Sequence, residues 1–162
     1  MQVPTSIPNR TIEPAPAACR STSRHASWRH PAIDISAGAA RRETRSTLSA
    51  WDLAEIADAA ELCVSELVTN AITHAPRHPD ATFQLDLVRH GDHLLVAVSD
   101  ADGSAIPHLR IPEDGDEHGR GLLIVRALST AWGVAYSNDG LKTVWCRLET
   151  HVISESVRQV AS

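Results

Sequence analysis

The pattern of apolar and polar positions divides the chain into helical and extended segments. Small and apolar residues recur at helical spacing over 36–51, opposite a face of Arg and Glu, and Ser36 carries the hydroxyl of a helix N-cap. The same spacing continues over 52–74, and Pro76 and Pro79 then stop a helix. We therefore expect two consecutive helices in the first half of the chain.

Alternation of apolar and polar residues predicts two β-hairpins farther along. One spans 82–100 with a turn at 90–92, and the other spans 133–149 with a turn at 138–140. Between them, the Pro-rich and Gly-rich segment 101–118 predicts a long loop, and the apolar stretch that follows predicts a third helix. Helices separated from hairpins predict an α+β two-layer sandwich, with a mixed, mostly antiparallel sheet covered on one face by helices.

The two ends of the chain lack the apolar side chains that a core requires. Residues 1–26 are rich in Pro, Ser, Thr and Arg, which predicts a disordered leader, and residues 151–162 predict a flexible tail. In a chain of 162 residues this leaves room for one domain, which we place at 27–150.

Net charge, cysteine spacing and apolar runs indicate which partners and which cellular compartment to expect. A net charge of -5 argues against direct binding of nucleic acid, which uses a basic surface. Cys19, Cys63 and Cys146 lie far apart without CxxC spacing, which favours reduced thiols. No apolar run reaches the ~20 residues of a membrane helix, and the first residues lack the apolar run of a signal peptide. We expect a cytoplasmic protein that binds no membrane.

The second predicted helix carries an unusual row of polar residues. Glu66, Asn70 and His74 recur every fourth residue and therefore share one face of a mostly apolar helix. Burying an unpaired acid is costly, so this face meets either solvent or a pocket that holds a cation and a polar ligand. The residues alone leave both interpretations open.

Two further stretches contain residues suited to ligands. Asp100 ends an apolar strand and is followed by Asp102-Gly103, which is typical of a ligand site or of an ordinary turn. Gly119 and Gly121 precede a helix, whose unpaired N–H groups suit a phosphate. A lone Gly-x-Gly has low specificity, and the chain has neither the Walker pattern nor the Rossmann fingerprint.

Taken in order, these motifs give a specific resemblance. The segments "ELVTNAITHA", "VSDADGSAIP", "HGRGLLIV" and "GLKTVWCRLE" resemble the asparagine-bearing helix, the two glycine boxes and the closing strand of the Bergerat-fold ATP-binding superfamily. The resemblance covers roughly residues 28–149. The chain looks closest to the anti-sigma-factor serine kinases and histidine-kinase-like ATP-binding regulatory proteins of bacteria.

The resemblance implies ATP and Mg²⁺ as ligands and gives roles to the polar row. Asn70 would be the Mg²⁺ ligand, and Glu66 would activate the attacking hydroxyl or water. His74 would support the site without taking part in the chemistry. The magnesium role suits the chemistry of the ion, which keeps several waters and needs only one or two protein oxygens besides phosphate.

The same resemblance implies the remaining contacts to the nucleotide. Asp100 would bind the adenine amino group, and Thr143 would help to hold a water network beside the adenine. The residues that would contact the rest of the nucleotide are Gly103, Gly119, Arg120, Gly121 and Leu122. The first glycine box departs from the family pattern Asp-x-Gly-x-Gly, because Asp102 and Ser104 replace its two glycines and Gly103 lies between them.

The function implied is that of an ATP-binding regulatory protein. We expect a serine/threonine kinase that phosphorylates a partner antagonist protein and sequesters a sigma factor, with a homodimer as a further possibility. The alternative is a nucleotide-gated binding module with little turnover, in which ATP orders the 101–118 loop and so sets partner affinity.

Overall fold

The computed structural model describes residues 23–75, 78–101 and 120–150. Helices and strands follow one another in the order β1 (Arg24–Pro31), α1 (Ile35–Ala50), a 3₁₀ turn (Ala54–Ile56), α2 (Ala57–His74), β2 (Thr82–His90), β3 (His93–Asp100), α3 (Arg120–Leu128), β4 (Ala131–Tyr136) and β5 (Lys142–Glu149). None of the helices in these three ranges is both long and apolar enough to cross a membrane.

The strands form one sheet in the order β1-β2-β3-β5-β4, and neighbouring strands are antiparallel throughout the described chain. Both predicted hairpins are present. Their turns contain Gly91 and Gly140 at φ values of 60° and 83°, which side chains other than glycine rarely adopt. The predicted α+β sandwich is confirmed, since the helices pack against this sheet.

The core lies between the sheet and the helices because alternate strand residues point toward α2. Every second residue of β3 and β5, and of β2 as far as Leu87, is buried, while the intervening residues of β2 and β5 face the other side of the sheet and stay partly or fully exposed. The helix α2 contributes a row of small and branched side chains to the same core. The central residues of this core are Cys63, Val64, Leu67, Val68, Ala71, Phe83, Leu85, Leu87, Leu94, Val96, Val98, Val125, Val144, Cys146 and Leu148.

The first strand was not predicted. β1 begins at Arg24, ahead of the expected domain start at residue 27. Its sequence, "RHASWRHP", is polar because β1 is an edge strand, and only Ala26 and Trp28 pack against the core from one face. The strand is specified by its pairing with β2, which the local pattern does not reveal.

Two predictions about helix ends were wrong. Helix α1 begins at Ile35, so Ser36 lies inside the first turn and is buried, and the preceding Asp34 makes no capping hydrogen bond. The predicted helix over 52–74 is interrupted at its start, because Asp52 adopts a φ of 57° where the chain reverses between α1 and α2. Helix α2 ends at His74 as predicted, whereas Pro76 and the 101–118 loop beyond Ala101 lie outside the described residues.

Candidate functional site

The polar row of α2 lies at the border of the core. Glu66 and Asn70 are half-buried, and His74 in the last turn is exposed. Glu66 comes three residues after the buried Cys63, and Asn70 comes three residues after the buried Leu67, so both adjoin the buried face of the helix. Neither residue of the first pair faces open solvent, so the row of polar groups begins inside the protein and emerges at its surface.

Glu66 meets the first turn of α3. A Cβ atom on Gly121 would overlap Oε2 of Glu66 and would lie 3.3 Å from its Cδ. The absence of a side chain at Gly121 therefore allows the carboxyl group to lie directly against the helix start. Backbone N–H groups at a helix start have no partner within the helix and carry partial positive charge, which favours an anionic oxygen at this place.

Asp100 occupies the end of β3 on the buried face of the sheet. Its cross-strand partner is Lys142, the first residue of β5, and Nζ of Lys142 lies 3.4 Å from Oδ1 of Asp100. Both side chains are only 2% exposed. A charged pair so deeply buried is expensive unless each charge has a partner, so the two residues depend on each other.

Lys142 is a candidate site residue that the sequence-based prediction missed. The alternation in "LKTVWCRLE" places Lys142 on the same face as Val144 and Cys146, which are buried. An apolar strand that begins with an inward-facing lysine implies a buried acidic partner. That signal was available, but the pairing with Asp100 follows only from the register between β3 and β5.

Thr143 lies on the opposite face of the sheet from Asp100. Its hydroxyl is hydrogen-bonded to the hydroxyl of Ser99, with 2.8 Å between the two oxygens. Because successive strand residues point to opposite faces, Thr143 and Ser99 point away from the helices. The structure therefore brings Lys142, and not Thr143, beside Asp100.

The remaining predicted residues are described in part. Leu122 is partly buried and packs against the core from α3. Arg120 is the first residue of α3. Gly103 and Gly119 lie outside the described residues, as do Asp102 and Ser104 of the altered glycine box.

Two cysteines are buried in the core between α2 and the sheet. Cys63, on α2, and Cys146, on β5, are free thiols with no exposed surface. A hydrogen bond between them, together with burial, raises the pKa of Cys146 well above its ordinary value. These thiols are therefore core residues, and Cys19 lies outside the described chain.

Connectivity places the polar row and Asp100 toward one end of the sandwich. A short connection over residues 75–81 leads from the end of α2 to the start of β2, and Phe83 near that start pairs with Asp100. Gly121, in the first turn of α3, lies against Glu66. The C-terminal end of α2 and the pair of Asp100 and Lys142 thus lie toward the same end of the sandwich.

The donor groups in this region fit a magnesium nucleotide. Within the described ranges, no cluster of three or more His, Cys, Asp or Glu side chains forms a dedicated metal cage. The amide oxygen of Asn70 suits Mg²⁺, which takes one or two protein oxygens and the rest from phosphate and water. A buried carboxylate suits an amino group of the base, and the start of α3 suits phosphate oxygens.

An α+β sandwich in which a polar helix face lies against a glycine at the start of another helix has the architecture of Bergerat-fold nucleotide-binding domains. Residues 31–148 match the family described as histidine kinase-like ATPase domain, and the chain belongs to that family. Membership implies that the protein binds ATP, usually with Mg²⁺. No curated protein matches the sequence.

Proposed function

We propose that this protein is an ATP-dependent serine/threonine kinase of the anti-sigma-factor type, which phosphorylates a partner antagonist protein and sequesters a sigma factor. The observation that carries the proposal is the contact between Glu66 and Gly121, because it sets a carboxylate against the helix start that suits the phosphates. A carboxylate at this position lies beside the place proposed for the phosphates, where it is able to accept a proton from an incoming hydroxyl group.

Each polar residue of the site has a distinct role in this proposal. Asp100 accepts a hydrogen bond from the adenine amino group. The backbone N–H groups at the start of α3, including that of Gly121, bind phosphate oxygens. Asn70 holds Mg²⁺, which when bound neutralises charge on the phosphates and orients them.

Glu66 acts as the general base for an incoming hydroxyl group. Its carboxylate accepts the proton of a serine or threonine hydroxyl of the partner as that oxygen forms a bond to the terminal phosphorus of ATP. The bond from that phosphorus to the bridging oxygen breaks, and ADP leaves with the electron pair. Positioned acid–base groups of this kind contribute typically ~10²–10⁴ in rate.

The test separates binding from chemistry at Glu66. Partners that co-purify with the protein are incubated with γ-labelled ATP, and nucleotide affinity is measured in parallel. Glu66→Gln keeps the shape and removes the base, so Kd for ATP should stay within about threefold while phosphoserine formation falls ~10²-fold or more. Glu55→Gln, an exposed residue of the 3₁₀ turn, serves as the matched control and should match the wild type.

Two results would contradict the proposal. Wild-type transfer rates in Glu66→Gln would show that Glu66 is not the base. No transfer from the wild type to any co-purified partner, combined with ATP-dependent partner affinity, would establish the nucleotide-gated binding module instead.

A further inference from the structure

The buried pair of Asp100 and Lys142 offers two kinds of hydrogen-bonding group side by side. Both side chains are 2% exposed and lie 3.4 Å apart at their charged atoms. They occur at the end of β3 and the start of β5, as direct cross-strand partners on the face that points to the helices. The ammonium group of Lys142 therefore lies beside the carboxylate to which the proposed function assigns the adenine amino group.

The two charged groups differ in what they recognise. An ionised carboxylate only accepts hydrogen bonds and has about four acceptor positions, whereas an ammonium group only donates and has three hydrogens. A carboxylate alone binds an amino group of a ligand. A carboxylate beside an ammonium group is suited to a ligand that has a hydrogen-bond donor next to an acceptor.

The edge of an adenine ring has such neighbours. Its 6-amino group donates, and the adjacent ring nitrogen N1 accepts. We propose that Lys142 is a specificity-determining residue that donates a hydrogen bond to N1 of adenine while Asp100 accepts one from the 6-amino group. The inference rests on the proposed function, because it requires the base of the nucleotide to bind at Asp100.

A purely structural role accounts poorly for the burial and the position of this ion pair. Burying two charges in an apolar core is often no more stable than burying apolar side chains of the same size, so the pair is poorly explained by stability alone. Its position at the strand ends, where β3 gives way to Ala101, is also the boundary of the core. Contact with a ligand would account both for the free-energy cost of burying the two charges and for the position of the pair at the strand ends.

The test uses an analogue that lacks the ring acceptor. In 1-deazaadenosine triphosphate a C–H group replaces N1, while the 6-amino group remains. Wild-type protein should bind this analogue about tenfold more weakly than ATP, the loss expected for one hydrogen bond from a charged donor. In Lys142→Met the two nucleotides should bind equally, within about twofold, because the donor has been removed.

Matched variants keep the test decisive. Arg147→Met removes a cation from the same strand on the other face of the sheet and should retain the tenfold penalty. If Lys142→Met alone does not fold because it leaves the Asp100 charge unpaired, the double variant Asp100→Asn with Lys142→Met removes both charges and still accepts from the amino group. It too should show no penalty.

The outcomes distinguish this inference from the proposed function. Equal binding of both nucleotides by the wild type, or an unchanged penalty in Lys142→Met, would overturn the role of Lys142 while leaving ATP binding intact. Failure of the wild type to bind ATP would overturn the proposed function itself.

Discussion

At Gly121, helices α2 and α3 come close enough that a single methyl group matters. In Gly121→Ala the new Cβ would overlap the Glu66 carboxyl, which would swing aside because it is the far end of a flexible side chain. We therefore expect little change in the free energy of unfolding, but at least a tenfold loss of phosphotransfer as the base leaves its position. Urea denaturation and the partner phosphorylation assay measure the two effects.

Gly38 is the matched control for this substitution. It lies in α1, where an added Cβ would make only ordinary contacts, at 3.6 Å from Nη1 of Arg42. Gly38→Ala should stabilise the protein by about 0.5–1 kcal/mol, the usual gain of alanine over glycine within a helix, and leave phosphotransfer unchanged. Full phosphotransfer in Gly121→Ala would contradict the placement of Glu66.

At the scale of elements, Asp86 holds the edge strand β1 to β2. Its Oδ1 lies 2.9 Å from Nε2 of His25, and Gln84 donates a second hydrogen bond at 3.0 Å. Burial raises the pKa of Asp86, but hydrogen bonds from His25, Ser27 and Gln84 outweigh this and lower it below its ordinary value of 3.8. The ionised carboxylate is thus the form that the folded state prefers.

A lowered pKa fixes the direction of the pH effect. Above the ordinary value of 3.8 the contribution of Asp86 is fully present, and it is lost as pH falls through the lower value of the folded state. Asp86→Asn should therefore destabilise the protein by about 1 kcal/mol at neutral pH, with the difference from wild type shrinking in acid. Urea midpoints measured from pH 7 to pH 2, with Asp80→Asn as an exposed control, check this; a difference that grows in acid would contradict it.

The sequence-based predictions succeeded where a local pattern carries the information. Helical periodicity and an apolar run gave the three α-helices of the described chain, and strand alternation gave both hairpins. Asp100 ends a buried strand, as its apolar context predicted. β1 and Lys142 were missed for the same reason. Each is defined by a partner distant in sequence, β2 in one case and Asp100 in the other, so neither has a local signature strong enough to assign it.

For the whole molecule, ATP binding should appear as added stability. A ligand that binds only the folded state contributes RT ln(1 + [L]/Kd), about 2.7 kcal/mol at a hundredfold excess over Kd. Millimolar Mg-ATP should therefore raise Tm by several degrees, as differential scanning calorimetry would measure. Asn70→Ala should lose the part of the shift that depends on Mg²⁺. No shift in the wild type would contradict a functional nucleotide site.

Helices α2 and α3 contribute to the site with very different anchorage. α2 supplies seven buried residues, whereas within the described part of α3 only Val125 is buried, and Leu123 and Leu128 are exposed. Glu66 therefore belongs to an element that cannot shift without opening the core, and Gly121 belongs to one that can. We therefore expect any adjustment to a bound nucleotide to occur in α3, and such a movement would also displace the exposed Leu123 and Leu128.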